Sequence, residues 1–200
     1  MLDKSIPYYN IIMCRKSGAS VPQVVLPEGY SFKNFSAGDE IHWAEIEASV
    51  GEFASTEEAE YYFKSEYLPF LKELERRSIF IETEKGEKIA TFTIWWNYSG
   101  DLRIPSVHWV AVKPIYQGLG LGKSIVFKGI EKAINIEGDV SFYLHTQTWS
   151  YKAIGIYMRA GFEILETGTF GGYKNDYEKA MPVLMEKMTE NYFHPSIDNR

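Results

Sequence analysis

The sequence predicts a mixed α+β fold in which helices flank a central, mostly antiparallel sheet that contains one parallel crossover. Three observations predict it. Two helical stretches come first, a pair of strand-like runs joined by a short glycine loop follows, and strand, helix, strand, helix, strand then alternate. A tight loop between two runs favours antiparallel pairing, whereas a helix between two runs carries the chain back for a parallel one. With 200 residues and no internal repeat, low-complexity tract or long linker, one domain over residues 1–200 is expected.

The elements follow in order. Ile41, Trp43, Ile46 and Val50 have helical spacing near Glu40 to Val50. A second helix starts near Thr56, with Ala59, Tyr62, Phe63, Tyr67, Phe70, Leu71 and Leu74 inward. Ser55 followed by Glu58 makes a capping box at its start, and Pro69 should kink or split it. Runs at Ser78 to Glu84 and Lys88 to Trp96 flank Lys85-Gly86-Glu87 as a hairpin. Val107 to Val112 is a third strand, Gln117 to Asn135 a helix, Val140 to Thr146 a strand, Tyr151 to Ala160 a helix, and Phe162 opens a further strand. Ala180 to Met188 is expected to be a strand that pairs within the domain or across a homodimer. Residues 1–30 yield no assigned element.

Composition narrows the function classes. The chain has 21 Lys and Arg against 27 Asp and Glu, a net charge of −6, which argues against nucleic acid because phosphate neutralisation needs clustered cations. No run approaches the roughly 18 apolar residues of a membrane span, and the first residues lack a secretory apolar segment. A single cysteine, Cys14, excludes an internal disulfide and makes the cytoplasm the default. Eight acids and no Lys or Arg fall between Asn34 and Phe63, which suits a cationic partner or a solvated face.

The most informative segment runs from Val107 to Ser124, a strand entering a glycine-rich turn that opens a helix. Such a turn presents unpaired N–H groups and the positive end of the helix dipole to an anion. Three phosphate-binding spacings compete. A P-loop ending in Gly122-Lys123-Ser124 would put its first glycine at Gln117, and a dinucleotide fingerprint would put its third glycine at Lys123 or Ile125. The spacing Gln/Arg-x-x-Gly-x-Gly/Ala is met by Gln117, Gly120 and Gly122. A second block, Ala153-Ile-Gly-Ile-Tyr157-Met-Arg-Ala-Gly161-Phe162, lies 30 residues further on.

Together these blocks resemble the GCN5-related N-acetyltransferases, and the resemblance covers about Lys88 to Glu166. It implies a sheet whose two neighbouring parallel strands, here Val107 to Val112 and Val140 to Thr146, splay apart at their ends to admit acetyl-CoA as co-substrate. The pantetheine arm would pair with the backbone around Val110, Ala111 and Val112, and the pyrophosphate would lie on Gln117, Gly118, Leu119, Gly120, Leu121, Gly122 and Lys123. Ser150 stands where many relatives carry Asn; Ser still caps a helix.

The resemblance further implies direct attack of a small-molecule primary amine on the thioester; His145, with no nearby Cys or carboxylate partner in sequence, makes a poor metal site, and no metal is expected. The backbone N–H of Val110 is the oxyanion candidate, Tyr157 the acid for the leaving thiolate, and His108 a candidate base with an ordinary pKa of roughly 6.5. Each has a structural reading beside it: Tyr157 as a core aromatic, His108 as a satisfied strand residue. Glu45, Glu47 and Glu52 are rival bases that also read as solvated carboxylates. Trp43, Phe53, Tyr61 and Tyr62 are candidates for pocket wall or core, and His145 to Trp149 for the acceptor pocket. A protein amine as acceptor, a non-catalytic acyl-CoA sensor and a nucleotide phosphatase remain alternatives.

Overall fold

The computed structural model describes residues 2–188. Residue 1 and residues 189–200, part of the single-domain expectation, lie outside the described residues. Seven strands form one sheet in the order β2-β3-β4-β5-β6-β1-β7. The strands are β1 (Asn10–Arg15), β2 (Tyr30–Asn34), β3 (Ser78–Thr83), β4 (Lys88–Ser99), β5 (Leu102–Val112), β6 (Phe142–Gln147) and β7 (Phe162–Ile164). The helices are α1 (Glu40–Val50), α2 (Thr56–Glu66), α3 (Leu71–Arg77), α4 (Leu121–Glu137), α5 (Tyr151–Arg159) and α6 (Tyr177–Lys187).

Alternation along the strands explains the layers. On β3, Ile79 and Ile81 face the core beneath α4, while Phe80 faces the core beneath α1 to α3. On β4, Phe92 and Ile94 take the first side and Trp95 the second. Helix α4 comes unusually close to the sheet at Gly129, where a Cβ would lie 2.3 Å from the Phe92 ring. Pro69 divides the second helical stretch as expected, leaving a 3-10 turn at Leu68–Phe70 between α2 and α3. The Ser55 hydroxyl caps α2 through the Glu58 N–H, and the Glu58 carboxylate reaches back to the Ala54 N–H.

One expectation is corrected. Ala180 to Met188 is not a strand: Ala180, Leu184 and Met188, four residues apart, are buried on one side of α6 and its end. The sheet edge on which a homodimer would have rested is therefore absent there. The first 30 residues, which lie outside the family resemblance and carry no element assigned from sequence, supply part of the sheet. Strand β1 inserts between β6 and β7, antiparallel to both, and β2 forms the opposite edge beside β3. Strand β1 was hidden because Ile11, Ile12, Met13 and Cys14 form a continuous apolar run, buried on both faces, with no alternation to mark it.

Among the described residues only β5 and β6 pair in parallel, joined by α4 as the crossover. Among the described residues no helix is long and apolar enough to cross a membrane.

Candidate active site

The parallel pairing of β5 and β6 stops at Ser106↔Tyr143 and Val107↔Leu144, well before either strand ends. Beyond it the two strands part, and α5 starts across the opening. On the other side of β5 the ladder with β4 passes from Thr93↔His108 to Thr91↔Ala111, so Trp109 and Val110 together oppose Phe92. This bulge carries Trp109 at φ +50°, a backbone conformation that a bulky residue seldom adopts. It turns the His108 to Val110 segment into the opening.

Two cavities meet there. One, of about 370 Å³, is lined by Val110, Ala111, Val112, the glycine turn and α5; the other, of about 330 Å³, lies between His108, the α1–α2 connection and the end of β6. Tyr157, Val110, Ser150 and Trp149 border both. The side chain of Tyr157 is buried in this wall, and burial first, then the charges of Glu47 and Glu52, hold its hydroxyl in the protonated state.

The first cavity fits a phosphorylated ligand. Gly118 and Gly120 have φ of +85° and +83°, which only glycine adopts without strain. At Gly122 a Cβ would come within 3.2 Å of Ile156, so this glycine also lets α4 approach α5. The Gln117 and Lys123 N–H groups donate to Pro114 and Gly120 carbonyls, which narrows the amides available to a ligand to Gly118 through Gly122. Gln117 Nε2 donates to the Val112 carbonyl, tying the turn to β5. Leu119 points outward and Leu121 into the core, so both would serve through their backbone alone. Lys123, Lys152 and Arg159 line the cavity and give it a positive rim. Lys152 and Arg159 were missed in sequence because nothing in their local pattern separates them from ordinary surface cations of an amphipathic helix.

Ser150 precedes α5 without capping it through its side chain; its hydroxyl accepts instead from Gln147 Nε2 at 3.2 Å.

In the second cavity His108 is engaged at both ring nitrogens. Nε2 lies 2.7 Å from Asn97 Oδ1 and therefore donates to it, while Nδ1, 2.8 Å from the Tyr67 hydroxyl, accepts. Trp109 Nε1 donates to the same tyrosine oxygen at 2.9 Å. Loss of solvation within this network lowers the His108 pKa to about 4, and His145 adds to the effect. A base working near neutrality is favoured by a pKa close to that pH, whereas this surrounding favours a neutral, fixed imidazole.

The acids divide. Glu45 is exposed on α1 and pairs with Lys113. Glu47, which also reads as a solvated carboxylate by sequence alone, is instead 1 % exposed and lines the cavity. Its Oε1 has no hydrogen-bond partner among the described residues. Burial, then the charge of Glu52, pushes its carboxyl well above the ordinary range. Glu52 stands at the rim. Of the four aromatics in question, Tyr62 lines the cavity, Trp43 and Phe53 pack beneath it, and Tyr61 is exposed. Of the run from His145 to Trp149, His145, Thr146, Gln147 and Trp149 line it and Thr148 is buried.

A wall unforeseen from sequence comes from the first residues. Trp149 Nε1 donates to the Ile6 carbonyl, the Asp3 N–H donates to the Trp149 carbonyl, and Lys4 Nζ donates to the Gly51 carbonyl at 3.0 Å. Leu2, Lys4 and Tyr8 thereby join the cavity lining. Among the described residues no group of three or more His, Cys, Asp or Glu could hold a metal ion.

Comparison with known proteins gives a consistent picture. Mycothiol acetyltransferase from Streptomyces bingchenggensis is 30% identical over 156 residues, covering 74% of this chain and 47% of that protein. Mycothiol acetyltransferase from an Arthrobacter species is 26% identical over 165 residues, covering 80% and 50%. The chain thus spans about half the length of the curated relatives it matches. Among solved structures, a GCN5-related N-acetyltransferase from Sphaerobacter thermophilus superposes with a TM-score of 0.63 at 19% identity, over 80% of this chain and 50% of that one, which shows a shared fold. The model of the acetyltransferase (GNAT) family matches residues 39–162, from the entry to α1 through the glycine turn and Tyr157 to the start of β7, and the chain belongs to that family.

Proposed function

We propose that this protein transfers an acetyl group from acetyl-CoA to the primary amine of a small cationic molecule by direct attack, without a covalent enzyme intermediate. The observation that carries the reading is the position of Tyr157, a buried, protonated hydroxyl on the wall shared by a glycine-and-cation-lined cavity and an acid-bearing one. Family membership and the name of the relatives, mycothiol acetyltransferase, support acetyl transfer.

Acetyl-CoA supplies the activated acyl group as a thioester. The chain's own groups do the rest. The Gly118 to Gly122 amides with Lys123, Lys152 and Arg159 hold the phosphates. Val110, which the bulge leaves without a register partner on β4, offers its N–H to the thioester oxygen as charge develops there. Tyr157 donates a proton to the departing sulfur. His108 holds Tyr67, Asn97 and the bulge in place instead of serving as the base expected from sequence.

Thermal unfolding with acetyl-CoA, and with Mg-ATP as control, tests the reading. A ligand at a hundredfold over its dissociation constant adds about 2.7 kcal/mol. Stabilisation by acetyl-CoA alone is expected; none at saturation, or stabilisation by Mg-ATP instead, overturns the reading.

A further inference from the structure

The acceptor cavity contains a carboxyl group with one buried oxygen that no group among the described residues satisfies. Glu47 is buried on the inner face of α1, lines the cavity, and leaves Oε1 without a partner among the described residues. A buried polar atom in that condition costs about 1–3 kcal/mol, more when charged, unless a ligand or water completes it. A bound ammonium would complete it.

The remaining charges of the cavity say how many ammonium groups fit. His108 and His145 both have lowered pKa values and are neutral near pH 7, leaving Glu47, Glu52 and Lys4 as the acidic and basic side chains of its lining, and an ammonium arriving beside Glu47 would favour the ionised form that burial disfavours. Lys4 is not a free cation in the mouth. Its Nζ is bonded to the Gly51 carbonyl, lies 5.5 Å from the centre of the Trp149 ring, and exerts its charge on Glu52. The chain's own ammonium thus occupies the carbonyl, ring and carboxylate that a second cationic group of an acceptor would use.

Resting on the acetyl-transfer reading, we infer that Glu47 binds and deprotonates the acceptor's ammonium, and that Lys4, by filling the second cation position, restricts the acceptor to small monoamines. A cavity of about 330 Å³ is at the small end of ligand sites and suits a single ring or short chain. Tyr62, Trp109 and Tyr173 are among its lining and offer aromatic surface to the body of such a molecule.

The proton balance closes. The ammonium gives its first proton to Glu47, which later releases it to solvent. The free amine forms the N–C bond to the acetyl carbonyl carbon as the C–S bond breaks; sulfur takes the Tyr157 proton, and Tyr157 regains one from the nitrogen as the amide forms. The products are the N-acetyl amine, free CoA and one proton.

The test is calorimetric binding to the CoA-bound protein, where no acetyl group can move, with glucosamine, phenethylamine, putrescine and a lysine-containing peptide as probes. Turnover with acetyl-CoA is then measured separately. At least one monoamine is expected to bind wild type, with putrescine and the peptide tenfold or more weaker. Glu47→Gln, a near-isosteric change, should weaken monoamine binding about a hundredfold and leave acetyl-CoA binding unchanged. Lys4→Met should bring putrescine to within a fewfold of the monoamine. Failure of every monoamine to bind, undiminished binding in Glu47→Gln, or a wild-type preference for putrescine or the peptide overturns the inference. Monoamine binding lost in Glu47→Gln, but with no acetyl group moved by wild type, supports the anchor and overturns acetyl transfer instead.

Discussion

The Tyr67 hydroxyl lies 2.8 Å from His108 Nδ1 and is held there from the other side by Trp109 Nε1. A residue of the α2–α3 junction thereby fixes both residues that precede Val110 on the bulged strand. The imidazole is locked in one tautomer, with its proton on Nε2 facing Asn97 Oδ1. Burial, then the charge of His145, disfavours a second proton on this ring and lowers its pKa to about 4.

Stability should follow that shift. The unfolded chain binds a proton at His108 near its ordinary pKa of 6.5, and the folded chain only near 4, so the unfolded state carries the extra proton between those values. Stability therefore rises with pH through that window, by on the order of 3 kcal/mol at most. Urea melts from pH 4.5 to 7.5 check this: replacing His108 with Gln should flatten the slope, and an unchanged slope would assign it elsewhere.

Tyr157→Phe removes the hydroxyl while keeping the ring against Phe162. Turnover should fall by about a hundredfold or more, with acetyl-CoA affinity within about twofold of wild type. Paired calorimetry and steady-state assays read the two quantities; unaltered turnover would return Tyr157 to a packing role.

Glu137, at the end of α4, receives both Arg103 guanidinium nitrogens at 2.8 and 2.9 Å and also bonds Arg77. Both arginines lie over the Trp96 ring. These bonds lower the Glu137 carboxyl to about 2. For a depressed carboxylate the stabilisation is present above its ordinary pKa of 4.5 and is lost as pH falls toward 2. Allowing for screening at the partly exposed Arg103, it amounts to roughly 2–3 kcal/mol. Glu137→Gln should lower the melting temperature at pH 7 and bring the acid-unfolding curves of variant and wild type together near pH 2.

Gly129→Ala should destabilise by about 1–3 kcal/mol, because the added methyl meets the Phe92 ring. In the double variant with Phe92→Leu the two costs should be less than additive, since the smaller side chain relieves the contact. Strict additivity in denaturant titrations would locate the strain elsewhere.

Local sequence determined the elements that carry their own punctuation. Ser55 and Glu58 start α2, Pro69 ends it, Gly86 turns the β3–β4 hairpin, and Gly118, Gly120 and Gly122 open α4, each by a requirement of one or two residues on their immediate neighbours. The family resemblance at the glycine turn and around Tyr157 was legible for the same reason. What only the tertiary structure decided was partnership. The apolar run of β1 carried no periodicity, so its place between β6 and β7 depended on strands more than a hundred residues away. Burial, with His145 adding to it, lowered the His108 pKa, and Tyr67 and Asn97 reach its ring from other elements. Glu47 reads in sequence as one more acid of an acidic helix, and the packing of α1 over the sheet made it a buried carboxylate facing an open cavity. Solvation is set by everything packed around a group, and for these residues most of the packing is distant in sequence.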